Sequence, residues 1–286
     1  MRILVFGANG QVAKSFAFQA PFYPELSLVC KGQADCDITD KGQIIATLDE
    51  IKPDLIVNTA AYTAVDQAEE DQAAAFLLNE TAVGYLGEIA TVPIVHFSTD
   101  YVFNGQACLP YQEGQLTDPL GIYGQSKWAG EEALRASCPK HVILRTAWVY
   151  SPFGGNFVKT MLRIMNANDK ISVVSDQIGC PTSALDLADA VLKIAPQLIN
   201  QSFDGYGTYH IVTNAVLSWH DFAVEIKEQT HMDCVVQAIE TSAYPTKAQR
   251  PAYSVLSCHK FEAQFGFNLP DWKESLSFCL KKLDQH

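Results

Sequence analysis

The sequence predicts an α/β protein: a Rossmann-type doubly wound parallel sheet carrying a smaller C-terminal α/β substrate-binding lobe. Three observations carry this expectation. The first half alternates short apolar, β-branched runs with longer stretches of helical period, the pattern of βαβ units. A glycine-rich turn follows the first of those runs at once. Past Tyr150 the regularity gives way to short elements punctuated by Gly and Pro.

Taken in order, Ile3 to Phe6, Leu26 to Val29, Leu55 to Val57, Ile94 to Phe97 and Val142 to Leu144 read as buried strands, because they are nearly continuously apolar rather than alternating. Between them, Thr39 or Asp40 is placed to cap a helix with Ile44, Ile45 and Leu48 on one face. A second helix after Asp71 carries Phe76, Leu77, Val83 and Leu86, and a third runs from about Leu120 to Arg135. Farther on, Ser218 reads as a helix cap with Phe222 and Ile226 facing inward. The expected division is a dinucleotide-binding domain over 1–149 and a sugar-nucleotide-binding lobe made mainly from 150–286, with some segments returning to the first domain. Internal repeats are absent.

Composition narrows the function. Twenty Lys and Arg against 32 Asp and Glu give a net charge of −12, a field that repels nucleic acid and anionic membrane surfaces. A small anionic ligand remains compatible with it if its pocket is locally positive. The eight cysteines contain no CxxC pair and no zinc spacing, so they read as reduced thiols of a cytoplasmic protein with no metal. The apolar run at Ile3 is too short for a signal peptide, and no run reaches the length of a membrane span. The sequons at Asn79 and Asn200 are then chance matches.

The strand Ile3 to Phe6 leads into Gly7-Ala8-Asn9-Gly10-Gln11-Val12-Ala13 and then a helical stretch. Strand, glycine turn and helix together aim backbone N–H groups and a helix N-terminus at a pyrophosphate. Gly7 permits the tight turn, Gly10 the close approach of backbone to phosphate, and Ala13 close packing of helix on strand. A Walker loop would need Gly at 8 and 13, where both residues are Ala. The spacing G-x-x-G-x-x-A is instead that of the extended short-chain dehydrogenase/reductases. The second strand ends Val29-Cys30-Lys31 without the carboxylate that holds a ribose, so Lys31 mildly favours NADPH while NADH stays open. Downstream, Asp37 and Ile38 are placed to pair with and stack on an adenine.

Tyr123 and Lys127 stand four apart, so on a helix they share a face. A phenol titrates near 10; a neighbouring ammonium favours phenolate, and a shift of three units corresponds to about 4 kcal/mol. Such a pair trades a proton with a carbonyl oxygen while a nicotinamide delivers hydride. Upstream, Ser98 and Thr99 end a buried strand at the edge where ligands bind in open α/β sheets, so either hydroxyl can bond that same carbonyl.

At these residues the chain resembles the extended short-chain dehydrogenase/reductases and, within them, the dTDP-4-dehydrorhamnose reductase family. The likeness runs through Gly7 to Val12, Val57 to Asp66, Ser98 to Phe103 and Tyr123 to Lys127. It continues through Arg145 to Tyr150, Asn156 to Met161, Asp176 to Thr182 and Arg250 to Ser254. It implies reduction by NADPH or NADH of the C4 ketone of a dTDP-linked 4-keto-6-deoxyhexose, giving dTDP-L-rhamnose. It also implies that Tyr123 supplies the proton, Lys127 lowers its pKa and grips the nicotinamide ribose, and Thr99 binds the reacting oxygen. Asp100 and Trp148 would face the sugar. Gly10, Gln11 and Val12 would hold the pyrophosphate, Asp37 and Ile38 the adenine, and Ala61, Tyr62 and Thr63 the adenosine side. Some members pair as homodimers through magnesium and glutamates; the matching positions, Ser15 and Leu185, are not carboxylates, so no metal is expected and a homodimer stays open.

Two other readings share these residues: a reductase of a different dTDP-4-keto-hexose, and a non-catalytic nicotinamide-binding regulatory subunit of the same fold. His96 and His220 read as structural histidines, and Glu69-Glu70-Asp71 as a solvated helix boundary. The acidity is expected on the outer faces, with helix amides, Lys127 and Arg250 forming a positive island in the cleft.

Overall fold

The computed structural model describes residues 1–284. Its strands are β1 (Arg2–Phe6), β2 (Ser27–Lys31), β3 (Leu55–Asn58), β4 (Ile94–Thr99), β5 (His141–Thr146), β6 (Val149–Tyr150), β7 (Lys170–Val174), β8 (Ile178–Gly179), β9 (Thr182–Ser183), β10 (Gly207–His210), β11 (Leu217–Ser218) and β12 (Val235–Ile239). The helices are α1 (Gln11–Gln19), α2 (Lys41–Ile51), α3 (Val65–Ala68), α4 (Gln72–Phe76), α5 (Ala82–Ile89), α6 (Ile122–Ser137), α7 (Phe157–Ala167), α8 (Ala184–Leu198), α9 (Trp219–Thr230), α10 (His259–Phe265) and α11 (Trp272–Leu283).

Six strands form one parallel sheet in the order β2-β1-β3-β4-β5-β10. The order reverses between β1 and β3, which opens a crevice at their carboxyl ends. Both faces are covered, which explains why the strands read as unbroken apolar runs. Ile3, Val5, Leu55, Val57 and Leu144 pack with Phe16 of α1 and Leu187 and Val191 of α8. Leu4, Phe6, Ile56, Ile94 and Ile143 point the other way, onto Ile44, Leu86 and Leu134.

Two face assignments made from the sequence are corrected. Asp40 caps α2, accepting from the amides of Gly42 and Gln43, and the buried stripe is Ile44, Thr47 and Ile51. Ile45 is 47% exposed, because one residue's rotation of about 100° carries it off that stripe. The second helix is also not continuous: a π-helical turn over Leu77–Thr81 separates α4 from α5. That turn leaves Leu77 exposed and buries Asn79, whose amide nitrogen donates to Ser126 Oγ and to the carbonyl of Tyr62.

Tyr150, Met161, Phe222 and Leu276 centre a separate apolar cluster formed by α7, α9, α11 and the parallel pair β7 and β12. Ser218 and Asp221 make a reciprocal capping box at the start of α9. Within the second half, α8, β10 and α10 return to the main sheet and its core.

Helix α6 is fixed to the sheet by charge as well as packing. Arg145 on β5 donates through Nε and Nη2 to the two carboxylate oxygens of Glu131 at 2.9 and 2.7 Å, with both residues buried. Arg135 adds a 2.7 Å contact to the same carboxylate, and Arg145 lies over the Phe103 ring. Burial pushes the Glu131 carboxyl up, but the bonds and charge of Arg145 outweigh it and hold it below the usual range. Glu131→Leu leaves Arg145 buried without its countercharge; urea unfolding should show a loss of about 3–5 kcal/mol with an unchanged m-value.

Candidate active site

The first βα turn is shaped by Gly7, at φ +93°. A Cβ on Gly7 would lie 2.7 Å from both the amide of Ala60 and the hydroxyl of Thr59. The amides of Gly7 and Ala8 donate to the carbonyl of Lys31, tying the turn to the end of β2. Gly10 is the N-cap of α1 and brings no side chain over the first-turn amides, and that turn holds no acid. The helix therefore presents bare N–H groups and its positive end to the cleft. Gln11 contributes through its backbone, because its side chain turns away: Nε2 donates to the carbonyl of Val149, and Oε1 accepts from Ser151 Oγ and Asn156 Nδ2.

Two chambers of about 470 and 480 Å³ share Asn9, Gly10, Thr59 and Ala61, so they form one cleft along the strand ends. Gly7, Asp37, Ile38 and Tyr62 line the first. Thr39 donates its amide and hydroxyl to Asp37 and holds that carboxyl below the usual range. Asn79 holds Tyr62 in place by bonding both its amide and its carbonyl. The wall beyond β2 is built by Gly32 and Gln33, and Lys31 serves the turn through its carbonyl.

The second chamber gathers Gln11, Val12, Thr63, Thr99, Asp100, Tyr123, Lys127 and Trp148. Every residue assigned to catalysis, cofactor or sugar therefore borders the cleft, whereas Lys31 and Arg250 do not. Ser98 borders it beside Thr99, and it also brings in Thr146, Gly154 and Trp219. Trp219 was hidden in a segment read only as a helix start; it stacks face to face on Trp148, with centroids 3.5 Å apart and planes 7° from parallel. Trp148 adopts φ +47°, a strained value for a bulky residue, and its ring sits where any side chain at Gly179 would lie.

The electrostatics differ from expectation in two respects. Burial pushes Tyr123 up to about 12, with Thr99 lowering it and Asp100 raising it. Lys127 is not what sets this value: Nζ turns inward, 2.6 Å from the carbonyl of Phe97 and 3.2 Å from His96 Nε2. Burial lowers Lys127 to about 8, with Glu131 opposing. Arg250 does not add free positive charge either, because Asp66 takes its guanidinium at 2.7 Å. Among the groups read as structural, His220 contacts the carbonyl of Val236, while Glu69 accepts from the amide of Ile122 at the start of α6. Ser15 and Leu185 are buried where α1 packs on α8.

Thr99 caps the turn after β4: Oγ1 accepts from the amide of Tyr101 and donates to Asp100 Oδ1 at 3.1 Å. Asp100 Oδ2 is buried without a hydrogen bond of good geometry among the described residues, and the Ser254 hydroxyl is the neighbouring group that lowers this carboxyl.

A parallel sheet with its switch point at a glycine turn, and a strand-end threonine facing a helical Tyr-x-x-x-Lys, define a dinucleotide-binding protein of the short-chain dehydrogenase/reductase type. The sequence matches the family described as RmlD substrate binding domain over residues 1–285. It is 43% identical to the dTDP-4-dehydrorhamnose reductase of Sinorhizobium fredii, over 96% of this chain and 95% of the relative. The Salmonella typhimurium enzyme of the same name is 40% identical over 99% and 98%. The crystal structure of a Clostridium acetobutylicum dTDP-4-dehydrorhamnose reductase superposes with a TM-score of 0.94 at 38% identity, covering 99% of this chain and all of that one. A Bacillus anthracis dTDP-4-dehydrorhamnose reductase in complex with NADP gives 0.91 at 35% identity, covering 98% and 99%. The chain belongs to the dTDP-4-dehydrorhamnose reductase family.

Burial raises the Asp100 carboxyl from its ordinary value near 4 to about 6. Between those values the folded protein keeps a proton that the unfolded chain has lost, so stability falls as pH rises through this window. Asp100→Asn should remove that slope. Its melting temperature should match wild type near pH 4 and exceed it above pH 6, by the equivalent of about 3 kcal/mol, two units at 1.36 each.

Proposed function

We propose that this protein is an NAD(P)H-dependent dTDP-4-dehydrorhamnose reductase, reducing the C4 ketone of dTDP-6-deoxy-L-lyxo-4-hexulose to give dTDP-L-rhamnose. The observation that carries the reading is the convergence of Thr99, Tyr123 and Lys127 on one cleft that begins at the bare N-terminus of α1. That terminus suits a dinucleotide: its amides lack a capping side chain, and Gly7 and Gly10 leave the backbone open to a pyrophosphate. When bound, NADPH or NADH supplies hydride to the carbonyl carbon.

The chain's own residues do the rest. Tyr123, at about 12, stays protonated at neutral pH and gives its proton to the developing alkoxide. Thr99 Oγ1 bonds the same oxygen and fixes its direction. Lys127, turned outward, places positive charge beside the phenol and reaches the ribose hydroxyls. Asp100 and Trp148, which border the same chamber as Thr99, carry the sugar side, with the Asp100 carboxylate as an acceptor. Asp37 and Ile38 border the adenine, while Ala61, Tyr62 and Thr63 carry the adenosine side. We assign residues 150–286 mainly to the sugar nucleotide, supported by Gly154 and Trp219 on the far wall. No carboxylate at the end of β2 selects against a 2′-phosphate, which admits NADPH alongside NADH. A cytoplasmic location is part of the proposal, supported by eight free cysteines.

Purified protein mixed with NADPH and the 4-keto sugar nucleotide should lose absorbance at 340 nm, with NMR of the product showing the rhamno configuration at C4. Tyr123→Phe should cut kcat by about 10²–10⁴-fold while leaving NADPH affinity unchanged. Turnover that survives Tyr123→Phe would remove the tyrosine from its assigned role. No turnover by wild type with either cofactor would identify a binding-only protein.

A further inference from the structure

One row of the sheet crosses β1, β3, β4 and β5 at Phe6, Asn58, His96 and Ile143. Its two polar members lie deep inside: Asn58 is 1% and His96 0% exposed, and the Lys127 side chain that meets them is 2% exposed. Polar groups at that depth have to satisfy one another. Here the hydrogen bonds form a chain whose direction is fixed at one end.

The amide of Ala60 can only donate, and it meets Asn58 Oδ1 at 3.1 Å. That fixes the side-chain amide, so Asn58 Nδ2, a donor, faces His96 Nδ1 at 3.1 Å. Nδ1 must then accept. Burial holds the ring well below its ordinary value and keeps it neutral, so its one proton sits on Nε2. Nε2 faces Lys127 Nζ at 3.2 Å, and Nζ also donates to the carbonyl of Phe97. An ammonium has three donors and no lone pair, so it would set N–H against N–H at Nε2. The free amine fits both neighbours, accepting from Nε2–H and donating to Phe97.

We propose that Asn58 and His96 form an inward berth that accepts Lys127 only as the neutral amine, so that the lysine bears its charge when it turns outward into the cleft. The catalytic meaning rests on Lys127 acting beside Tyr123; the polarity of the berth does not. Neither Asn58 nor His96 borders the cleft, so both are positioning residues acting through the lysine. The titratable and charged groups around the lysine are Glu131 and Tyr123 on α6, Arg145 on β5, and Asp100 and Tyr101 beyond β4. Of these, Glu131 opposes the loss of charge, and burial outweighs it.

Long-range ¹H–¹⁵N NMR of the ligand-free enzyme labelled on histidine reads the tautomer directly, with His96 assigned by the signal lost in His96→Gln. The expected result is a neutral ring protonated on Nε2 from pH 6 to 9. A ring protonated on Nδ1, or an imidazolium, would overturn the proposal whether or not the enzyme turns over. Asn58→Asp supplies the second reading, because its carboxylate accepts from both Ala60 and Nδ1–H and frees the Nε2 lone pair for an ammonium. The tautomer should then flip, and the alkaline limb of kcat/KM should move up by about one pH unit or more. An unflipped ring and an unmoved profile in the folded variant would also overturn it. If Asn58→Asp fails to fold, the wild-type tautomer alone decides.

Discussion

The position of α6 governs the chemistry of this molecule, and the ion pair between Glu131 and Arg145 governs α6. Glu131 stands one turn beyond Lys127 and two beyond Tyr123, so a helix clamped at that point has little freedom to roll or slide. The partner arginine sits on β5, next to the strand that carries Thr99, which places donor and acceptor elements on a common frame. A buried pair of this kind is weak evidence for added stability, since its desolvation offsets much of the attraction. What it supplies here is position: two planar groups joined by two bonds admit one orientation.

The same frame explains why the cleft is polar yet hard to charge. Asp100 and Lys127 are buried and Tyr123 is half-buried, and desolvation moves each toward its neutral form. A site built this way keeps a phenol protonated and a lysine close to giving up its proton at neutral pH, which is the condition for moving protons with little driving force. In the proposed reading, the overall negative charge does not oppose the binding of anions there, because the start of α1 offers uncapped backbone amides and no acid in its first turn.

Much of this was legible in the sequence. Strands buried on both faces announce themselves as short apolar runs, and Gly7, Gly10, Thr99, Tyr123 and Lys127 occupy positions whose order and spacing imply one cleft. What escaped is what depends on contacts distant in sequence or on a local change of period. Leu77 was placed on the wrong face because a π turn shifts the helical phase without changing composition. Arg250 looked like a free cation because its partner, Asp66, lies 184 residues earlier. Trp219 reaches the cleft only through the fold of the second lobe, so no spacing rule could pair it with Trp148. The direction of the Tyr123 shift follows from its desolvation and from Lys127 Nζ pointing away from it, which only coordinates reveal.

Gln11 belongs to both halves of the molecule at once. Its main chain is the first residue of α1, and its side chain is held by Val149, Ser151 and Asn156 at the entry to the second lobe. The first turn of α1 and the entry to the second lobe are therefore joined by hydrogen bonds through one side chain. In the proposed reading, the phosphate turn and the opposite wall of the cleft are thus tied together by the Gln11 side chain, so a shift of one is passed directly to the other.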